Sequence, residues 1–327
     1  MQPLIIGIVL IALAVAFVVL ARRARRGKHL LIRWPGAVLA GLLAIVCALV
    51  GVVDLMGVYR LNAVHGNPVS DVKVAATSAE LARGEHLAHL CTSCHSTTGD
   101  LPLDGGRTSL LSNPDGSGLG ALYPPNLTPG SPLKGWSDGQ IIRAVREGVD
   151  NNGHALMIMP SETFHQMSDA DVQAIVAYLR SQPAVTHVTP PRNINLIGTL
   201  LIGTGVFPLA VQAPITQPVV APPAGITPEY GKYLVAVSGC QTCHGADLAG
   251  GRAGAGPPPG PNLTQIVPKW TRAQFVTTIR TGTDPTGYAL RPDMMPWKEF
   301  SAAYSDDELG AIYAYLHTVK PIEHPSP

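Results

Sequence analysis

The chain has 327 residues, 46% of them hydrophobic and only 14% charged, with a formal net charge of +1. That length fits about two folded domains with additional elements, and the apolar excess points to membrane segments. Six basic residues and no acidic one precede Asp54, whereas the remainder carries 17 basic against 22 acidic residues, a net −5 that argues against nucleic-acid binding.

The first expected elements are two apolar helices. Leu4 to Ala21 and Ala37 to Val53 are runs of 18 and 17 residues without a charge, each about 25 Å long as a helix, near the short end for crossing a bilayer. No basic residue precedes the first run and arginines follow it, which disfavours a cleaved signal peptide. The cluster Arg22, Arg23, Arg25, Arg26 and Lys28 lies between the runs. The positive-inside rule therefore places that loop in the cytoplasm and everything after Asp54 outside. Ala40, Ala44 and Ala48 share one helix face, suited either to close approach of a neighbouring helix or to lipid contact. Cys47, in the second run, reads as a small apolar side chain.

Residues 59–77 read as a polar connector. Beyond them the chain is an internal duplication, with one copy at 78–181 and the other at 228–327. Each copy carries a Cys-x-x-Cys-His motif: Cys91, Cys94 and His95, then Cys240, Cys243 and His244. This is the attachment pattern of a c-type haem: two thiols meet the two porphyrin vinyl groups and the adjacent histidine faces the iron. Zinc and a redox dithiol are the rival uses of such a motif. Four of the five cysteines are taken up in this way, which leaves no pair for a disulfide.

The copies then run in parallel: Gly105-Gly106-Arg107 and Gly250-Gly251-Arg252, Pro125 to Thr128 and Pro261 to Thr264, then Trp136 and Trp270. Ser137 with Gln140 and Thr271 with Gln274 read as capping boxes. The last helix opens at Ser168 or Ser305 and repeats apolar residues at helical spacing, Val172, Ile175, Val176 and Leu179 against Leu309, Ile312, Tyr313 and Leu316. Each copy also holds a methionine-proline pair, Met159-Pro160 and Met295-Pro296. A methionine thioether opposite the histidine is a common sixth ligand of c-type haem iron, and the proline stiffens the loop presenting it. Met157 and Met294 are neighbouring rivals, and His154 and His165 flank Met159. Gly153 to Met159 is six positions and Gly287 to Met295 is eight, so the register of the two loops is open. His86 and His89, ahead of the first motif, read as surface or packing residues.

Between the copies, 182–227 is proline-rich and expected to be extended and semi-rigid. Its apolar stretch Ile194 to Phe207 is too short to span a membrane, and either rests on the membrane or a partner, or packs between the two haem units.

These residues resemble the class I cytochrome c fold, and more closely the cytochrome subunits of bacterial membrane-bound alcohol and aldehyde dehydrogenases. The likeness rests on the Pro-Asn-Leu-Thr element, Trp-Ser-Asp, Arg-Glu-Gly, Gly-His-Ala-Leu, Met-Pro and Ala-Tyr-Leu-Arg-Ser in the family's order. Taken with the two apolar runs and the two Cys-x-x-Cys-His motifs, it implies a mainly α chain, with two N-terminal transmembrane helices followed by two tandem class I cytochrome c domains and two covalently bound haems c. It further implies His95 and His244 as proximal and Met159 and Met295 as distal iron ligands, with Arg107, Trp136, Arg252 and Trp270 near the propionates. Those subunits usually carry three haems and a different anchor, and the dihaem subunit of cbb-type haem-copper oxidases is a second resemblance.

The expected function is single-electron transfer on the periplasmic side of the bacterial inner membrane. The chain would act as a subunit of a respiratory or photosynthetic complex, with redox proteins and other membrane subunits as partners. Two methionine-capped irons would leave no open position for substrate, which disfavours the rival reading as a dihaem peroxidase.

Overall fold

The computed structural model describes residues 2–27, 30–113, 117–251 and 258–323, with only the backbone at 30–32. The apolar runs form two helices, α1 (Gln2–Ala24) and α2 (Leu30–Asn62). They lie antiparallel: Gly7 faces Asp54 and Leu55, Gly51 faces Ile11, and Gly36 faces Ala24. Ala40 and Ala44 are buried with Ala37, while Leu39, Leu42, Ile45, Val46 and Leu49 are exposed. The alanine face thus packs on α1 and the branched residues point outward. Both helices are long and apolar enough to cross a membrane. Cys47 is half-buried.

α2 continues four residues past the expected end of the hairpin, and the chain after it is tied down rather than free. His65 N–H donates to Gly153 O at 2.8 Å. Asn67 Nδ2 donates to Glu147 Oε2 at 2.7 Å, and Val74 N–H to Asp138 Oδ2 at 3.0 Å. The first repeat comprises α3 (Ser78–Ala88), a 3-10 turn His89–Cys91, α4 (Thr92–His95), a two-residue strand β1 (Gly120–Ala121), α5 (Asp138–Glu147), α6 (Ser161–Phe164) and α7 (Asp169–Ser181). The intervening segment contributes β2 (Asn193–Ile194), antiparallel to β1, and α8 (Leu196–Thr204). The second repeat comprises α9 (Pro228–Val237), α10 (Cys240–His244), α11 (Leu263–Ile266), α12 (Arg272–Thr281), α13 (Trp297–Ala303) and α14 (Asp306–Thr318).

Local chemistry sets these boundaries. The capping boxes at Ser137 and Thr271 form as their spacing predicts, and Ser305 with Glu308 forms another. Thr77 with Glu80 caps α3 in the same way. In each repeat the first and last helices cross where a glycine removes the side chain. A Cβ at Gly84 would fall 1.9 Å from Ala174 O, and one at Gly231 would fall 1.9 Å from Ala311 O. Only glycine permits that approach.

The segment 182–227 is a strap around the first repeat. Asp169 N–H donates to Val219 O, Gln212 N–H to Glu147 O and Ala210 N–H to Leu156 O, at 2.9–3.0 Å. Its helix α8 lies on α2 and not between the two repeats: a Cβ at Gly57 would meet Thr199 O and one at Gly203 would meet Val53 O. Thr199 Oγ1 donates to the buried Asp54 carboxylate.

The two repeats share one hydrophobic core, in which Leu87, Val172 and Val176 join Leu234, Tyr304 and Leu309. Polar groups pin that junction. Arg83 of α3 bonds Asp171 Oδ1 at 2.8 Å and also the Glu308 carboxylate of the other repeat. Tyr233 donates to Asp171 Oδ2 at 2.6 Å, and Tyr230 to Glu308 Oε1 at 3.1 Å.

Candidate functional site

In both repeats the motif histidine is buried on a short helical turn, with one ring nitrogen already engaged. His95 Nδ1 lies 2.8 Å from Pro125 O, and His244 Nδ1 lies 2.8 Å from Pro261 O. A carbonyl only accepts, so Nδ1 carries the proton and Nε2 keeps its lone pair for a metal. Burial pushes both imidazoles below the usual histidine range, against the opposing effect of that hydrogen bond. A neutral ring is what iron ligation requires.

The Pro-Asn-Leu-Thr element is therefore an outer shell to the histidine, a role not read from the sequence. Its proline carbonyl holds the ring. Its asparagine and threonine hold the chain that follows the last helix: Asn126 Nδ2 donates to Val185 O at 2.8 Å and Val185 N–H to Thr128 Oγ1 at 3.1 Å. The same pair recurs as Asn262 to Ile322 O at 2.8 Å and Ile322 to Thr264 at 3.1 Å. The paired glycines press on the motif backbone. A Cβ at Gly106 would fall 2.7 Å from Cys94 O, and one at Gly251 would fall 2.1 Å from Cys243 O.

The methionine loops are alike up to a definite point. Leu156 N–H donates to Gly148 O at 2.8 Å, and Leu290 N–H to Gly282 O at 2.7 Å. The two-residue difference falls after this point, in the link from Leu156 to Met159 or from Leu290 to Met295. Both links end in the same tight turn: Ser161 N–H donates to Met159 O at 2.8 Å and Trp297 N–H to Met295 O at 2.7 Å. The prolines have φ −78°, ψ 53° and φ −76°, ψ 58°, an inverse γ-turn that holds the preceding methionine in one direction. The shared turn matches Met159 with Met295, which loop length alone does not decide. Met157 is buried in a separate cluster with Leu61, Leu111 and Ile202, whereas Met159 and Met295 pack on the core that adjoins the motifs. The shorter link has a cost: Ile158 takes φ 63°, a region in which a β-branched residue is an outlier.

A cavity of about 1430 Å³ in the second repeat is lined by Cys240, Cys243, His244 and Met295, together with Trp270, Phe275, Leu309 and Leu316. Met294 also lines it, but is 41% exposed. This apolar enclosure, with two cysteines, an available Nε2 and a thioether, fits a covalently held porphyrin.

The remaining expected residues divide. Trp136 packs on the core and its carbonyl accepts from Arg180 at 2.5 Å. Arg107 is exposed, and Arg252 lies outside the described residues. His154 Nδ1 approaches Ala63 O at 3.4 Å and His165 Nδ1 lies 3.0 Å from Arg146 O. His86 is exposed, and His89 lies 3.6 Å from Asp100.

The rival uses of the motif fare badly. As free thiols, Cys91 and Cys240 are pushed up to about 12, chiefly by burial, whereas a redox dithiol needs a depressed thiol. Among the described residues no three of His, Cys, Asp and Glu are grouped to hold a bare metal ion.

Residues 81–183 match the family described as cytochrome c, and residues 227–316 match that described as cytochrome C oxidase, cbb3-type, subunit III. The chain is a c-type cytochrome with class I cytochrome c domains and carries covalently bound haem c. Among curated proteins it is similar to a component of the nicotinate dehydrogenase of Pseudomonas putida, 30% identical over 276 residues, covering 77% of this chain and 22% of that one. It is also similar to the gluconate 2-dehydrogenase cytochrome c subunit of Pantoea cypripedii, 33% identical over 184 residues, covering 52% and 38%. With the cytochrome c subunit of the quinone alcohol dehydrogenase of Gluconacetobacter polyoxogenes it shares 27% identity over 281 residues, covering 76% and 57%. The chain thus spans between about a fifth and somewhat over half of these relatives' lengths.

Proposed function

We propose that the chain is the dihaem electron-transfer subunit of a membrane-bound dehydrogenase complex. Cys91 and Cys94 hold one haem c, with His95 and Met159 as its iron ligands. Cys240 and Cys243 hold the other, with His244 and Met295. Bound haem supplies a one-electron ferric/ferrous couple, and the methionine thioether favours the ferrous form and a high potential. The protein's part is to fix each imidazole through a proline carbonyl, present each thioether on a γ-turn and exclude water with the shared core. Arg107, Trp136, Arg252 and Trp270 would lie near the propionates.

The observation that carries the reading is the same His-to-proline-carbonyl bond and the same Met-Pro turn in both repeats. It also disfavours the peroxidase reading, which needs one iron with a releasable ligand. α1 and α2 anchor the chain in the inner membrane with the haem domains at 78–181 and 228–327 on the periplasmic side, as the basic loop between the helices indicates. The relatives' names favour a dehydrogenase over other complexes. The match of 227–316 to a cbb3-type oxidase family keeps an oxidase subunit as the second reading. Purification in mild detergent with mass identification of partners separates them. A co-purifying dehydrogenase subunit is expected; an oxidase catalytic subunit would favour the second reading, and a stable lone monomer would contradict both.

A further inference from the structure

The helix after each methionine-proline turn reaches across to the other repeat. Thr163 of α6 stands 3.4–3.5 Å from the place a Cβ on Gly239 would occupy, next to Cys240. In the other direction α13 packs on the 3-10 turn His89–Cys91 of the first repeat. The residues of α13 face two ways. Phe300 lines the cavity of its own repeat, as do Met295 before the helix and Tyr304 after it, whereas Glu299 does not. Counted from the Met-Pro pair, Glu299 holds the position that Thr163 holds in the first repeat, on a helix packed against the 3-10 turn that carries Cys91. Its Oε2 is buried and has no hydrogen-bond partner among the described residues. A buried, unpartnered carboxylate oxygen is costly unless something in the functional state compensates it.

We propose that Glu299, supplied by the second repeat, is an electrostatic positioning residue of the first haem, setting its reduction potential from across the domain junction. This rests on the reading of Cys91 and Cys94 as a haem site. A fixed negative charge beside an iron porphyrin stabilises the ferric over the ferrous form, because reduction removes a positive charge that the carboxylate attracts. The carboxylate oxygen is buried, so its attraction is less screened than that of a surface charge. The first haem therefore sits at a lower potential than its own ligands alone would give. The residue responsible for that offset comes from the other repeat.

The test is a spectroscopic redox titration of the full chain in detergent, with Glu299→Gln and the charge-retaining Glu299→Asp. Met295→His marks the second centre, since a histidine in place of the thioether lowers its potential. Glu299→Gln should raise the unmarked centre by about tenfold in its ferrous/ferric ratio, or about 59 mV for one electron, and leave the marked centre in place. Glu299→Asp should stay near the parent value. A shift confined to the marked centre, or no shift in either, overturns the proposal. If Glu299→Gln fails to assemble, an Asp variant whose first centre moves as far as loss of charge requires would also overturn it. Failure of the underlying reading looks different: the parent chain would then carry no covalent haem on Cys91 and Cys94.

Discussion

The two repeats have the same plan and opposite surroundings. Each has an arginine near the end of the helix that follows its tryptophan, paired with the aspartate that opens the last helix. In the first repeat this is Arg146 with Asp169 at 2.5 Å, the arginine side chain only 4% exposed. In the second it is Arg280 with Asp306 at 2.7 Å, 30% and 72% exposed. The difference is the strap. Segment 182–227 runs over the first repeat and hydrogen-bonds Asp169 through Val219, whereas in the second repeat the described residues after the last helix reach Asn262 and Thr264 through Ile322. One sequence pattern thus yields a first domain covered by the strap and a second whose matching ion pair is exposed among the described residues.

Substitutions at matched positions put that contrast to the test. The largest effect is expected where the two repeats are most alike. Gly84→Val and Gly231→Val each force a side chain into a carbonyl 1.9 Å away, and each should cost about 3 kcal/mol or more. Thermal unfolding followed at the haem Soret band should show comparable losses. A tolerated valine at either position would mean that the helices do not cross as described.

Next comes the ion pair. Asp169→Asn strands a guanidinium whose Nε and second terminal nitrogen already lack partners among the described residues, and should cost about 2 kcal/mol. Asp306→Asn, in the exposed pair, should cost about 0.5 kcal/mol or less. Denaturant titrations of the two variants should differ in that order, and equal costs would remove the case for the strap as a cover.

The smallest effect concerns acid. Asp138 opens α5 in the first repeat and has Arg272 as its counterpart in the second. Burial alone would raise its carboxyl, but the Val74 N–H and the Arg180 guanidinium hold it below the usual range. A depressed carboxyl contributes stability that is present above the ordinary aspartate value, near 3.9, and is lost as pH falls through the lower folded value. Below about pH 4 the parent chain should therefore lose stability that Asp138→Asn no longer has to lose. Solvent screening of the pair keeps that loss to about 0.5 kcal/mol. Unfolding midpoints of the two proteins at pH 6 and pH 3 check this.

Much of this plan is legible in the chain because its signals are local. A Cys-x-x-Cys-His turn, a capping box at Ser137 or Thr271 and a Met-Pro pair each lie within a few residues, and repetition raises each above chance. What the sequence hides is long-range. Arg83 meets Glu308 across 225 positions, and nothing in the spacing of either marks the partner. The proline carbonyls at 125 and 261 act through the backbone, which no residue type reveals. The segment 182–227 reads as an extended, semi-rigid linker because of its prolines, and nothing local shows that beyond its short helix it hydrogen-bonds to the first repeat through Ala210, Gln212 and Val219. Loop length alone leaves Met159 and Met157 in competition, and the γ-turn that follows Met159 and Met295 alike is absent after Met157.

The decisive experiment counts covalent haem on the purified full chain. Acid-acetone extraction followed by intact-mass analysis should leave the pigment on the protein, with the added mass of two haems. Ser at both Cys91 and Cys94 should reduce it to one, with the methionine-ligated spectrum of the second centre retained. Extractable pigment, or a mass showing no haem on either motif, would contradict the reading of both repeats.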